Sequence, residues 1–311
     1  MACNGLDYNM SRCRFHKSLG QGTFGEVHLV EHTVLGGAYA LKIMKQNATE
    51  EAALMTVMEM MVLLRIQREP HMNLVSALAL DDTQVLLPML LPLAERDLFS
   101  IIAGDDWSLE IQLILLLDAV EGVRHLHDAL GLVHMDLKAE NILVCSRPHL
   151  HAKVADFGHT RAIGEECHGR LGTLGYSSLE VLSSPFCAWP RQDIFSLAAV
   201  LLLVCTKAGY KDGNMFRHPV VTTVQEKWTL HNLRAANLST VDFEVAVMRR
   251  AIGDGTFGSM VLAPENMDGV IRSPDVLCGH LRRFLTSAHQ DMPDMASLER
   301  VIQQFVADVR Q

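Results

Sequence analysis

His134-Met135-Asp136-Leu137-Lys138-Ala139-Glu140-Asn141 and Val154-Ala155-Asp156-Phe157-Gly158 bound the stretch on which the reading of this chain turns. Ile142, Leu143 and Val144 follow the first motif, and Ala152 to Ala155 precede the second. Short apolar runs flanked by polar motifs predict two short strands with loops at their ends. The loops bring two carboxylates (Asp136, Asp156), one amide (Asn141) and one ammonium (Lys138) to a common cleft.

Working upstream, Leu19-Gly20-Gln21-Gly22-Thr23-Phe24-Gly25-Glu26-Val27 is a glycine-rich hairpin followed by His28-Leu29-Val30. Without Cβ atoms, its backbone N–H groups are free to approach phosphate oxygens. Alone the pattern is weak, and an ordinary glycine-rich turn produces it too. Ala40-Leu41-Lys42-Ile43 follows at the spacing of a third strand, which strengthens it. The same glycine pattern recurs at Gly253-Asp254-Gly255-Thr256-Phe257-Gly258. No A-x-K strand follows that copy, so it reads as a turn.

Together these motifs resemble the eukaryotic-type protein kinase family, in a divergent, Ser/Thr kinase-like form. The resemblance runs from about Ser18 to the last helix. It implies an α+β, bilobal protein-kinase-like fold: a small antiparallel β-sheet lobe and a larger, mainly helical lobe. Expected boundaries are a tail at 1–11, the small lobe with its hinge at 12–93, and the large lobe at 94–311 with an enlarged region at 207–276. By the family's phosphoryl-transfer template, Asp136 accepts the hydroxyl proton and Lys138 neutralises the transferred phosphate. Asn141 and Asp156 hold Mg2+, and Lys42 meets the α- and β-phosphates of ATP. Leu19, Gly20, Gly22, Gly25, Val27, Ala40 and Leu143 complete the expected nucleotide site, with Val27 and Ala40 above adenine and Leu143 below. Leu90 is expected near the gatekeeper, and Leu91 to Leu93 on the adenine edge.

Glu50 to Ile66 lacks Gly and Pro and is expected to be a helix. Glu59 is its central acid, and the resemblance implies that it pairs with Lys42; a solvent-facing helix acid is the bland alternative. The helix is Met-rich, and its apolar residues cover more than one face. That makes it core filler or a surface for a regulatory partner. Ser108 is expected to cap a helix through His125, and Leu197 to Cys205 to be a buried core helix. Leu281–Leu285 and Met295–Val309 are expected to close the fold. Asp193 is expected to accept backbone N–H groups of the catalytic loop, or else to act as a plain helix cap. Gly172-Thr173 leads into Tyr176-Ser177-Ser178-Leu179-Glu180, which resembles the family's substrate-docking loop, and Thr173 is expected to bridge Asp136 and Lys138.

Three departures stand out. Met135 replaces the arginine usual before the catalytic aspartate. Leu179 replaces a proline. Met292-Pro293 stands where Arg-Pro is usual, leaving Glu180 unpaired or paired with Arg282 or Arg283. Between Arg161 and Leu171 there is no Ser, Thr or Tyr, so no activation-segment phosphorylation is expected. The drift from the family pattern would suit a viral member.

Composition bounds the rest. The 311 residues are 49% hydrophobic and 20% charged, with a net charge of −9, which argues against nucleic-acid binding. The longest apolar run is too short to span a bilayer, and the first residues carry no signal-peptide pattern. Seven scattered cysteines without a C-x-x-C fit reduced thiols and a cytoplasmic protein, with the nucleus as an alternative. Protein substrates are the expected partners. A pseudokinase binding module on the same fold would require loss of Lys42, Asp136, Asn141 or Asp156. A small-molecule phosphotransferase would lack the docking segment.

Overall fold

The structure, a computed structural model, describes residues 10–206, 280–285 and 292–310, apart from 22–24, 35, 46, 82–83, 85–86, 105, 148, 170, 174–175, 179, 182–184 and 282. Gly22, Arg170, Leu179, Arg282, the second glycine pattern and the 207–276 region lie outside the described residues.

The small lobe begins with an antiparallel sheet in the order β1-β2-β3-β5-β4. Its strands are β1 (Cys13–Gln21), β2 (Gly25–His32), β3 (Ala38–Met44), β4 (Ala79–Leu80) and β5 (Met89–Pro92). Val27 pairs with Lys42 across β2 and β3, and Lys42 with Met89 across β3 and β5. This register fixes Lys42 in the middle of the sheet.

Helix α1 runs Glu50–Arg68, two residues past the expected end. Thr49 caps it by accepting from the Ala52 N–H, and Glu50 and Glu51 complement the positive end of its dipole. Gln67 donates from Nε2 to the Ala77 carbonyl at 2.7 Å and ties the helix end to the lobe. Met55, Glu59, Met60, Val62, Leu63 and Ile66 face inward.

The two strands around the central stretch form as expected. They are β8 (Ile142–Cys145) and β9 (His151–Val154), paired with each other, and β8 also pairs with β6 (Arg96–Asp97). Asp97 caps α2 (Leu98–Ala103), and Ser108 caps α3 (Leu109–Asp128). The short strand β7 (Leu132–Val133) follows α3 and leads into the catalytic loop. Helix α4 (Pro190–Thr206) carries the run Leu197–Cys205, every residue of which is buried. Helix α5 (Met295–Val309), capped by Asp294, packs on α3 and α4 through Leu298, Ile302 and Phe305. Leu281, Phe284 and Leu285 join the same core. No described helix is long and apolar enough to cross a membrane.

Between the loops, the chain from Asp156 to Glu180 is pinned by backbone pairing. β10 (Arg161–Ala162) pairs with β7, and β11 (Glu166–Cys167) with β12 (Phe186–Cys187).

Candidate active site

A cavity of about 390 Å3 lies between the lobes. Its roof carries Leu19, Gly20, Val27 and Ala40, its floor Leu143, and its inner end Lys42, Asn141 and Asp156. Gly20 has open space where a Cβ would stand. Gly25 is not among the lining residues. A Cβ there would sit 2.7 Å from the Ile43 carbonyl oxygen, so its glycine is required by the β2–β3 pairing itself.

Of the expected hinge residues, Leu91 to Leu93 line the cavity and Leu90 does not. Leu90 turns away from the cavity and is fully buried with Val30 and Ala79. Successive strand side chains alternate between faces, so the neighbouring Leu91 lines the cavity, followed by Pro92, Leu93 and Ala94.

Lys42 is the centre of an ion triad. Its ammonium donates to Glu59 at 2.7 Å and to Asp156 at 3.0 Å. Burial penalises the charged lysine, but the Asp156 and Glu59 carboxylates outweigh it and hold its pKa above the ordinary value. Burial also works against the Asp156 carboxylate, yet Lys42 draws its pKa down to about 2. Asp156 is therefore ionised throughout the neutral range. Its backbone is left-handed (φ 64°), with Phe157 completely buried next in the chain. That conformation costs a non-glycine residue about 1–2 kcal/mol and marks a site held by its surroundings.

Asp136 is the second centre. Its Oδ2 accepts from Lys138 at 2.9 Å and from the Asn141 side chain at 3.3 Å, and its Oδ1 accepts from the Thr173 hydroxyl at 2.6 Å. Lys138 also donates to Thr173 Oγ1 at 2.8 Å. Thr173 thus bridges the pair as expected. Asn141 gives a second bond to the Asp136 carbonyl at 2.8 Å, which leaves its own carbonyl oxygen as a ligand atom. That oxygen and the Asp156 carboxylate are hard donors of the kind Mg2+ prefers, and one or two protein ligands suffice when phosphates and waters supply the rest. The residues fit the metal.

The loop carrying Asp136 is held from below. Asp193 accepts the His134 N–H at 2.7 Å and the Met135 N–H at 3.0 Å, so it is an anchor of the loop and not merely a helix cap. His127 Nε2 donates to the same carboxylate at 2.8 Å, a partner the sequence motifs do not mark. His134 Nε2 donates to the Ala155 carbonyl at 3.0 Å, while its Nδ1 accepts from the Asp136 N–H at 3.2 Å. One imidazole therefore joins the two motifs.

Glu180 is paired: Arg191, in the first turn of α4, donates from Nε at 3.0 Å, while Arg282 lies outside the described residues. Met292 packs against the core instead. Met135 is buried, with left-handed φ of 69°, in a cluster with Met55, Val133, Cys167, Leu171, Val181 and Phe186.

These features define a protein kinase domain. The chain matches the protein kinase domain family over residues 13–240 and belongs to it. A carbon catabolite-derepressing protein kinase of Saccharomyces cerevisiae is 29% identical over 204 residues, covering 64% of this chain and 31% of its own length. An SNF-related serine/threonine-protein kinase of Homo sapiens is 28% identical over 204 residues, covering 64% of this chain and 26% of its own. This chain thus spans less than a third of the length of either. A probable cell division protein kinase of Encephalitozoon cuniculi is 27% identical over 265 residues, 83% of this chain and 97% of its own length.

Proposed function

We propose that this chain is an ATP- and Mg2+-dependent protein serine/threonine kinase that works without phosphate on its activation segment. The observation that carries the reading is Thr173, which ties the docking segment to the proposed base Asp136 and to Lys138. A substrate hydroxyl laid on that segment is brought to the carboxylate that takes its proton. Lys138, one hydrogen bond away, offsets charge on the transferred phosphoryl group. Lys42, oriented by Glu59, meets the nucleotide phosphates. Asn141 and Asp156 hold Mg2+, which when bound screens the phosphate charge. The printed names of two relatives, a serine/threonine-protein kinase and a carbon catabolite-derepressing protein kinase, agree with this substrate class.

Independence from phosphorylation rests on two features. In relatives with arginine before the aspartate, a phosphate neutralises that cation. Here Met135 lies among hydrocarbon side chains. The hydroxyls of residues 156–180 offer no acceptor either. Thr160, Tyr176, Ser177 and Ser178 are buried, and Thr173 is bonded to Asp136. Glu165 accepts the Ala162 N–H at 2.9 Å and lies 3.6 Å from Arg161, so the segment carries an acid–base pair of its own without a phosphate.

A pseudokinase reading lacks support from the site, where Lys42, Asp136, Asn141 and Asp156 all stand in bonded arrangement. Protein substrates are the proposed partners, α1 the proposed seat of regulation, and cytoplasm or nucleus the proposed location. Labelled ATP with Mg2+, offered with a generic basic protein or with a panel of small-molecule amines, separates the readings. Label in the protein at Ser or Thr is the expected result. Label in an amine, or none at all, contradicts it.

A further inference from the structure

Glu50, Leu54, Val57, Met61, Leu64 and Arg68 are all exposed on α1. Their spacings are four, three, four, three and four. At about 100° per residue they share an arc of roughly 80°, opposite the buried Glu59. The four apolar members are large and far from buried: Leu54 is 58% exposed, Val57 41%, Met61 55% and Leu64 36%. Met55 and Met60 point inward, so the outer surface is not a methionine patch but a stripe in the 3–4 pattern of a coiled-coil seam.

The order of residues along the stripe is self-complementary. An acid opens it, a base closes it, and two apolar residues lie on each side of its midpoint at residue 59. A second α1 laid antiparallel about that midpoint sets Glu50 against Arg68, Leu54 against Leu64, and Val57 against Met61, each pair occurring twice. Among the described residues neither Glu50 nor Arg68 has an ion-pair partner within the chain. Arg65, by contrast, donates to the Leu130 carbonyl and is held by its own protein.

We infer that two copies of this chain pair through α1, antiparallel and in this register, as an isologous dimer. The charge pattern selects the occupant: a parallel copy would set Glu50 on Glu50 and Arg68 on Arg68. Six side chains from each copy fall short of the roughly 20–30 a side of a standard interface, so the dimer is weak, assembling at roughly 10–100 µM. It fixes the helix whose opposite face presents Glu59 to Lys42. The pairing rests on the surface of α1 and not on phosphotransfer, so a failed kinase assay leaves it standing.

Sedimentation of the full chain over a concentration series tests it. Wild type should self-associate. Val57→Glu or Met61→Glu should sediment as monomer. Arg68→Glu should weaken the dimer by roughly tenfold, since two exposed pairs become like-charged. Glu50→Arg with Arg68→Glu in the same chain restores both pairs and should recover wild-type association, which also shows that Arg68→Glu did not fail by misfolding. Wild type that stays monomeric at about 500 µM, well above the expected range, overturns the inference. So does a dimer indifferent to Val57→Glu and Arg68→Glu, or a double swap that fails to recover.

Discussion

Met135 and Asp136 are adjacent, yet they face regions built on opposite principles. Asp136 is hydrogen-bonded to Lys138, Asn141, Thr173 and the His134 ring. Around Met135 the neighbours are hydrocarbon and sulfur: Met55, Val133, Cys167, Leu171, Val181 and Phe186. Polar groups concentrate where charge moves during a reaction. The proposed independence from activation-segment phosphate rests on the second of these regions.

The largest expected effect falls on the polar side. Asp136→Asn should cut kcat by roughly 10²–10⁴, the scale of general-base loss, and leave ATP affinity nearly unchanged. Turnover at the parental rate would remove Asp136 from the mechanism. Asp156→Ala should instead abolish Mg2+-dependent ATP binding, read by calorimetry with and without the metal.

On the apolar side, Met135→Arg puts an unpaired cation into hydrocarbon. A loss of about 3 kcal/mol or more is expected in denaturant unfolding, with Met135→Leu close to neutral. An arginine variant as stable as the parent would mean that the cluster is open to water or has an anion at hand.

Glu59→Gln should lower turnover by more than its loss of stability accounts for, because Glu59 orients Lys42; the pair is buried, so the denaturation midpoint should fall as well. An equal loss in both would make the pair structural.

The smallest effect concerns His159. Burial holds its imidazole below the ordinary value of 6.5, and its Nδ1 accepts from the Gly172 N–H at 3.4 Å. Asp136 and Asp156 pull its pKa upward, while His134 and Lys138 push it down with burial. The folded state therefore prefers the neutral ring, and the unfolded chain binds the proton more readily. Stability should rise with pH across the window from the lowered folded pKa up to 6.5, and fall on acidification through it. The melting temperature of wild type should drop more below pH 6.5 than that of His159→Gln. Parallel curves would exclude His159 as the cause.

Much of the polar side was legible from residue order. Lys42 and Glu59 could be matched because a helix of period 3.6 leaves one central acid on its inner face, and the 2.7 Å bond follows. Thr173, Asp193 and the Asn141–Asp156 pair were legible because each belongs to a motif. The adenine edge Leu91 to Leu93 was legible, but Leu90 was misplaced beside the cavity because Leu-Pro-Met-Leu-Leu-Pro-Leu offers leucine to both faces of a strand. Arg191 was missed as the partner of Glu180 because it lies in no motif and meets the glutamate only when α4 folds back. His127 was missed for the same reason. The α1 stripe was half visible: the helix reads as too apolar for one face, but which apolar residues turn outward depends on the packing of Glu59 against Lys42.

The most direct test of the account uses protein made in bacteria, treated with phosphatase, and shown by intact mass to carry no phosphate. It should phosphorylate a protein substrate at its full rate from the first seconds, without a lag, and Thr160→Ala should match it. A tenfold or larger gain after an upstream kinase modifies residues 156–180 would contradict the account, as would an inactive Thr160→Ala.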